Sequence, residues 1–173
     1  MKVRFAKFIT RWIWLLCVVL IGCGYRVTGP AMFPGNVKHI YILMLENKTA
    51  ETGVENIITG ALIDEFTRNS PAALTRRERA QAYLSGSVAG IRNTTISHRS
   101  PGISSERRVQ VSVVVKLKDT QGREIWSTGA VSANEAYGVS PDKLVTEQNR
   151  RAAISVLSRR LAEDIFKRLT ENF

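Results

Sequence analysis

The stretch Arg108-Val109-Gln110-Val111-Ser112-Val113-Val114-Val115-Lys116-Leu117-Lys118 carries the clearest structural signal in the chain. Apolar side chains alternate in it with polar and basic ones, which is the period of a β-strand with one buried face. The pattern predicts a strand of an antiparallel sheet that is covered on one side only. The other side of that sheet would be polar and basic.

The residues that follow predict a hairpin partner for this strand. Asp119-Thr120-Gln121-Gly122 has the composition of a tight turn. We expect the next strand over residues 123–134, with Ile125 and Val131 on the face opposite Trp126.

Two further strands are predicted before this hairpin. Residues 38–45 are short and apolar nearly throughout, which favours a buried strand over a helix. Residues 82–91 favour a second strand, although their glycines obscure its ends. Residues 92–105 are rich in Asn, Thr, Ser, Pro and Gly, and this composition predicts a long, mobile loop.

Two amphipathic segments predict helices. Thr52 and Glu55 have the spacing of a capping box, so the first helix is expected to begin there and to end before Pro71. Ser140 and Pro141 offer a capping hydroxyl and a proline at the first position of a long terminal helix. The apolar stripe of the first helix consists of Val54, Ile57, Ile58, Ala61, Leu62 and Phe66. The stripe of the second consists of Leu144, Ala153, Ile154, Leu157, Leu161, Ile165 and Leu169.

Basic residues crowd the outer surface of the terminal helix. They are Arg150, Arg151, Arg159, Arg160, Lys167 and Arg168. The acidic residues beside them favour a solvated face with ion pairs between positions i and i+4. A patch that faces a membrane or a partner is the alternative.

The order of the predicted elements is strand, helix, three strands, helix. This order predicts an α+β two-layer sandwich, in which two helices pack on one face of a four-stranded mixed sheet. We expect a single domain over residues 38–173, whose polar sheet face is left uncovered.

Residues 1–22 have the three-part form of a secretory signal, with a basic start, an apolar run and a small residue at the cut. The run from Trp12 to Ile21 is too short to span a bilayer, which takes about 20 residues. Cys23 stands where the mature chain would begin. We therefore predict a cleaved lipoprotein signal peptide, a covalent diacylglycerol and N-acyl lipid on Cys23, and a lipidated tether over residues 23–37. A short hydrophobic anchor with an incidental cysteine is the alternative.

Charge and cysteine content limit the function classes. The net charge is +10, and the chain stays basic after the leader is removed. An exported basic protein meets anionic head groups, so we expect no nucleic-acid partner. The only cysteines are Cys17 and Cys23, which leaves the domain without a disulfide, a catalytic thiol or a Cys-ligated zinc. Without a nucleotide-binding loop, a nucleophile elbow or a zinc motif, no enzyme activity and no further cofactor or metal are expected.

Several short motifs then occur in order along the mature chain. They are Cys23-Gly24-Tyr25, Ile40-Tyr41-Ile42 followed by Asn47-x-Thr49, Ala82-Tyr83-Leu84-Ser85-Gly86, Leu117-Lys118-Asp119-x-x-Gly122 with Ile125-Trp126, and Glu135-Ala136-Tyr137. In this order and spacing the chain resembles the LptE family of lipopolysaccharide-assembly lipoproteins. One departure is Gln81, where the family pattern leads us to expect an aspartate.

The resemblance implies the same fold and a non-enzymatic function. It implies a lipoprotein of the cell outer membrane that plugs the LptD β-barrel, helps the barrel to fold, and contacts lipopolysaccharide on its way to the outer leaflet. Because arginine can bind phosphate bidentately, basic residues of the sheet face and the adjacent loop are the candidates for this contact. These candidates are Arg92, Arg99, Arg107, Arg108, Lys116 and Lys118, with His98 beside them. For each of them, a solvated surface residue is the alternative reading.

Two other functions remain open from the residues. A small α+β lipoprotein could be an accessory to peptidoglycan synthesis or to a secretion channel. A hydrolytic periplasmic enzyme would need a catalytic group, and the sequence offers none.

Overall fold

A computed structural model describes residues 33–70, 73–100 and 103–171. The leader, Cys23 and the first part of the predicted tether lie outside the described residues. The strands are β1 (Ile40–Ile42), β2 (Glu46–Asn47), β3 (Ala82–Ser100), β4 (Ile103–Asp119) and β5 (Glu124–Gly138), and the helices are α1 (Val54–Asn69) and α2 (Lys143–Glu171).

Strand β4 pairs with β3 on one side and with β5 on the other, both antiparallel. β1 and β2 both add to the outer edge of β3 in parallel, so the sheet has five strands in mixed orientation. Both helices bury their apolar stripes against one face of this sheet, in a single core. The predicted α+β sandwich is confirmed.

The first predicted strand is divided into β1 and β2. Leu43 still donates its N–H to Leu84 O at 2.9 Å. Leu45 instead turns its N–H to Thr59 Oγ1 of α1, at 3.1 Å, and buries its side chain. Residues 43–45 therefore oppose only residues 85–86 of β3, and the chain bulges there before β2 rejoins β3.

The predicted loop over residues 92–105 is wrong, because β3 and β4 continue through it as a hairpin as far as the pair Ser100–Ile103. The side chains from Arg92 to Ile96 are exposed. A ribbon that is open on both faces needs no apolar alternation, and its threonines and isoleucine suit extended backbone. Register shifts beyond Thr95 twist the end of the hairpin.

The core is built around the inward side chains of β4. Val109, Val111, Val113, Val115 and Leu117 are all 0% exposed. The helix stripes cover them as predicted, with two exceptions: Leu144 is 65% exposed and Ile57 is 37% exposed. Leu144 lies in the first turn of α2, before the buried positions of the helix begin at Ala153.

Aromatic contacts tie the start of the described chain to the helix ends. Phe66 near the end of α1 meets Phe166 near the end of α2, with ring centroids 5.0 Å apart. Phe33 stacks on Phe66 at 6.0 Å and is 3% exposed. Val37 is also buried, so two residues of the predicted tether belong to the core.

A β-bulge corrects the predicted facing of β5. Thr128 and Gly129 together lie opposite Val115, and Gly129 has a φ of 66°. The extra residue places Trp126 across from Leu117, on the core side. Val131, across from Val113, is on the same side. The prediction that Trp126 and Val131 lie on opposite faces is therefore wrong.

Both helix starts differ in detail from the predicted caps. Gly53, with φ 89°, is the N-cap of α1, and Thr52 makes no cap bond there. Only half of the capping box forms, since Glu55 Oε2 accepts the N–H of Gly53 at 3.1 Å. At α2, Asp142 Oδ1 accepts the N–H of Leu144 at 2.8 Å, so the carboxylate replaces the predicted hydroxyl as the cap.

Two glycines should respond to alanine with opposite signs. A Cβ at Gly86 would lie 2.2 Å from Val114 O and 3.1 Å from Leu45 Cδ2, so we expect Gly86→Ala to lower the free energy of unfolding by about 1–3 kcal/mol. A Cβ at Gly60, inside α1, meets nothing within 4 Å, so Gly60→Ala should raise it by up to about 1 kcal/mol. Urea unfolding measures both, and equal effects would contradict the close approach at Gly86.

Candidate functional site

The uncovered face of the sheet carries the basic residues predicted from β4. Gln110 lies between two fully buried valines, so it and its alternate neighbours point away from the helices. Arg108, Lys116 and Lys118 share this side. Across the ladder, Arg92 pairs with Gln110, which brings Arg92 onto the same face. We call this surface the open face.

The basic residues of the open face form two groups. Arg92 and Arg108 are diagonal neighbours near the base of the projecting hairpin. Lys116 and Lys118 lie toward the other end of β4, about 27 Å and about 34 Å along the strand from Arg108 at 3.4 Å per residue. Small and polar residues of the three long strands lie between the groups, and Ser112 Oγ and Ser132 Oγ are 2.6 Å apart there.

A cavity of about 330 Å³ accompanies the lysine group. Its lining residues are Glu46, Lys48, Ser85, Gly86, Ser87, Val114, Lys116 and Lys118. Two of its three lysines have exposed carboxylate partners, since Lys48 Nζ is 3.4 Å from Glu46 and Lys116 Nζ is 2.6 Å from Glu124. Exposed pairs of this kind contribute about 0–1 kcal/mol, so an anionic ligand could replace the carboxylates at little cost.

Six lining residues of this cavity were not predicted as site residues, and Ser85, Ser87 and Lys48 are among them. Ser85 and Ser87 alternate with buried Leu84 and Val88, a signal that the sequence does contain. Lys48 is different, because it approaches Lys116 only through the pairing of β2 with β3. No local pattern in the sequence indicates that pairing.

The other predicted contact residues either point away from the open face or have side chains outside the described part of the chain. Arg107 lies on the same face of β4 as Val109 and is paired with buried Tyr137 of β5. Its side chain therefore points to the helix side of the sheet. Arg99 belongs to β3, but its side chain, like that of His98, lies outside the described part. Arg107 and Arg108 are thus adjacent in sequence and opposite in direction.

The Asn47-x-Thr49 motif forms a hydrogen-bond network in the chain between β2 and α1. Asn47 Nδ2 donates to Glu51 O at 2.7 Å and to Glu55 Oε2 at 2.8 Å. Asn47 Oδ1 accepts both the N–H of Thr49, at 2.9 Å, and its hydroxyl, at 2.7 Å. Every polar atom of the amide is used to fold the loop between β2 and α1.

Arg150 of α2 joins this loop to the terminal helix. Its side chain is 13% exposed, and its guanidinium reaches Glu51 and Glu147 together. Arg150 Nε donates to Glu147 Oε2 at 2.9 Å, and this bond lowers the pKa of Glu147 below its ordinary value. The bonds to Glu147 and Glu51 raise the pKa of Arg150, so it stays charged.

Most other basic residues of α2 also have carboxylate partners. Arg151 pairs with Glu147 and Arg168 with Asp164, both at i,i+4 spacing, and Arg160 reaches Glu135 of β5. The solvated face with ion pairs, predicted for this helix, is present.

The acidic and histidine side chains of the described residues are dispersed over the molecule. Within residues 33–70, 73–100 and 103–171, no group of three or more His, Cys, Asp or Glu side chains could hold a metal ion. In the same ranges no helix is long and apolar enough to cross a membrane. The fold and the open face define a small α+β protein whose uncovered sheet surface is polar and basic.

The family comparison names the class more closely. The family model described as "LptE: Lipopolysaccharide-assembly" matches residues 37–169, and the chain belongs to this family. It is a family of lipopolysaccharide-assembly lipoproteins that are not enzymes. No curated protein sequence gives a significant match.

Solved structures of bacterial lipoproteins share the fold. Lipoprotein B from Nitrosomonas europaea has a TM-score of 0.58 at 14% identity and covers 85% of this chain and 90% of its own. A minor lipoprotein from Acinetobacter baumannii has a TM-score of 0.57 at 20% identity, with coverages of 79% and 93%. Rare lipoprotein B from Shewanella oneidensis has a TM-score of 0.52 at 12% identity, with coverages of 76% and 94%.

Removing the Arg150 bridge should destabilise the domain. We expect Arg150→Met to lower the free energy of unfolding at neutral pH by about 1–3 kcal/mol, because it leaves two carboxylates without their shared partner. Arg151→Met is the matched control: its side chain is 75% exposed, so a loss below about 0.5 kcal/mol is expected.

The same bridge predicts a pH dependence. Because the folded-state pKa of Glu147 is lowered, its contribution to stability is present above the ordinary value of 4.5 and is lost as the pH falls through the lowered pKa. Thermal unfolding between pH 7 and pH 3 should show a shallower acid loss for Arg150→Met than for the wild type. Parallel curves for the two proteins would contradict the bridge.

Proposed function

We propose that the chain is the lipoprotein partner that plugs an LptD-type β-barrel of the outer membrane and contacts lipopolysaccharide through its open face. Membership in the lipopolysaccharide-assembly family supports the role in assembly. The observation that carries the finer proposal is the register of β3 and β4, which gathers Arg92, Arg108, Lys116 and Lys118 on one uncovered surface.

A plug must be rigid and polar on its outside, because the lumen of a barrel is polar. The sheet and helices share one core, and the Arg150 bridge fixes α2 to the loop before α1. The open face offers hydroxyl, amide and basic groups along the length of β4. These properties support a fit to a wet, polar lumen.

Contact with lipopolysaccharide is proposed for the two basic groups of the open face. A phosphorylated glycolipid presents separated anionic groups and many hydroxyls. The guanidinium groups of Arg92 and Arg108 can bind phosphate bidentately. The lysines around the cavity can bind phosphate, and the serines there can form hydrogen bonds with sugar hydroxyls. Arg107 is not part of this proposed contact because it points to the helix side.

Attachment through an acylated Cys23 is proposed to hold the domain at the periplasmic leaflet of the outer membrane. The wild-type chain should then fractionate with outer membranes and co-purify with a lipopolysaccharide-exporting barrel. Cys23→Ala should accumulate as an uncleaved precursor that takes up no palmitate.

Two results would reject this function. One is isolation of the lipidated chain from outer membranes without such a barrel. The other is normal surface lipopolysaccharide with cell-wall defects after depletion, which would favour the accessory role in peptidoglycan synthesis.

Two adjacent arginines give a sharp test of the open face. We expect Arg108→Glu to weaken lipopolysaccharide binding by about tenfold or more, because a charge reversal faces the ligand. Arg107→Glu makes the same change of charge one residue away on the other side and should alter binding less than twofold. Binding to immobilised lipopolysaccharide measures both, with circular dichroism to verify folding. Equal losses in the two variants would remove the open face from the proposed contact.

A further inference from the structure

The described chain begins at one end of the domain, which we call the tether end. Phe33 packs there against Phe66, and Phe166 contacts Phe66 from the other helix, so the last turns of α1 and α2 lie together. β1 and β3 begin at this end, while β3 runs away from it toward the projecting hairpin. Any lipid held by the residues before Phe33 joins the domain here.

A second segment is bonded to the same place. Residues 75–81 lead into β3 and are bonded to the chain that enters β1, since Thr75 N donates to Ile40 O at 3.1 Å. Gln81 Oε1 accepts the N–H groups of Lys38, at 2.7 Å, and His39, at 3.2 Å. The residue that departs from the family pattern thus helps to hold this segment to the tether end.

This segment and the chain before β1 present basic side chains that have no carboxylate partner in the described part of the chain. Lys38, Arg76, Arg77 and Arg79 are all exposed, and we call them the tether-end patch. Glu78 is the one acidic residue among residues 75–81. Unlike Arg150, Arg160 and Arg168, none of the four forms an ion pair with another described residue.

We propose that the tether-end patch binds the anionic phospholipid head groups of the leaflet that holds the lipid anchor. The attraction between basic residues and an anionic membrane acts within a Debye length of about 8–10 Å, so the patch must lie at the surface to contribute. A tether from Cys23 to Phe33 spans at most about 35 Å when fully extended, which keeps the patch within reach.

The patch gives the anchored domain a preferred orientation. An acyl chain alone holds a protein at a membrane without fixing its direction, and a basic surface supplies the second contact. With the tether end on the bilayer, the long strands lead away from it and the hairpin points outward. This inference rests on the proposed anchor at Cys23 and is independent of lipopolysaccharide binding.

The test uses the full protein, expressed with its leader, purified from membranes and reconstituted into vesicles without lipopolysaccharide. A donor dye on Gln121→Cys, an exposed turn residue at the tether end, reports energy transfer to an acceptor in the lipid head groups. Neutral phosphatidylcholine vesicles are compared with vesicles that contain phosphatidylglycerol. We expect stronger transfer on the anionic vesicles and a loss of the difference at high salt.

Two triple variants distinguish the effect of where the basic residues lie from the effect of the net charge of the protein. Replacing Arg76, Arg77 and Arg79 with glutamine should abolish the difference between vesicles, since each arginine near the surface is worth a factor of about five. Replacing Lys143, Arg151 and Arg159 of α2 with glutamine removes the same charge from exposed sites and should leave the difference intact. Equal transfer on both vesicles in the wild type, or equal loss in both triple variants, would overturn the proposal.

A missing lipid anchor can be distinguished from a patch that does not bind. Recovery of the protein on neutral vesicles measures attachment through the lipid at Cys23, because neutral head groups do not attract the basic patch. If neutral vesicles recover none, recovery on the anionic vesicles becomes the measure of the patch, and the wild type should exceed the Arg76/Arg77/Arg79 variant by at least tenfold. Equal recovery of these two proteins would then reject the patch.

Discussion

The fold depends on the register of β4, because one face of this strand is buried along most of its length. Its five inward side chains are 0% exposed, and a slip of one residue would turn all of them to solvent. The same register directs Arg108, Lys116 and Lys118 outward and places Gly86 of β3 opposite Val115. Stability and surface chemistry are therefore set by one alternation, since the residues that cannot be buried are left to form the open face.

The helices are held by polar contacts as well as by their buried apolar stripes. Arg150 makes one such contact by reaching Glu51 in the loop before α1. That loop is held by Asn47, whose amide bonds Glu51 O and Glu55 Oε2. A polar network of this kind stabilises only when its members are satisfied, and here each amide atom of Asn47 has a partner. The structure thus gives a physical reason for an Asn-x-Thr motif that the sequence presents only as part of a resemblance.

The elements that could be predicted from the sequence are those with one buried face, because burial on one side produces a periodic pattern of apolar residues. The strand around Val113 and the buried stripe of α2 have a dry side, so alternation and helical spacing both reveal them. The hairpin around Thr94 has no dry side, and its polar composition resembles that of a loop. Trp126 was assigned to the wrong face because a single bulge at Gly129 reverses the alternation beyond it. Lys48 approaches Lys116 through a pairing between distant strands, which no local pattern records.

The positions of the basic residues in the fold, more than their number, determine which partners they can contact. Arg108 lies on the open face and Arg107 on the helix side, while Arg77 is held at the tether end by the bonds of Gln81. Lys116 of the open face already has a carboxylate partner, so the proposed anionic ligand would have to replace Glu124 there. Arg77 has no such partner among the described residues, and diffuse attraction to a charged surface is enough to engage it. The two proposals therefore place a glycolipid and a phospholipid leaflet on one small domain. Arg92 and Arg108 lie near the projecting hairpin, whereas the tether-end patch lies in the segments before β1 and β3, at the opposite end of the long strands.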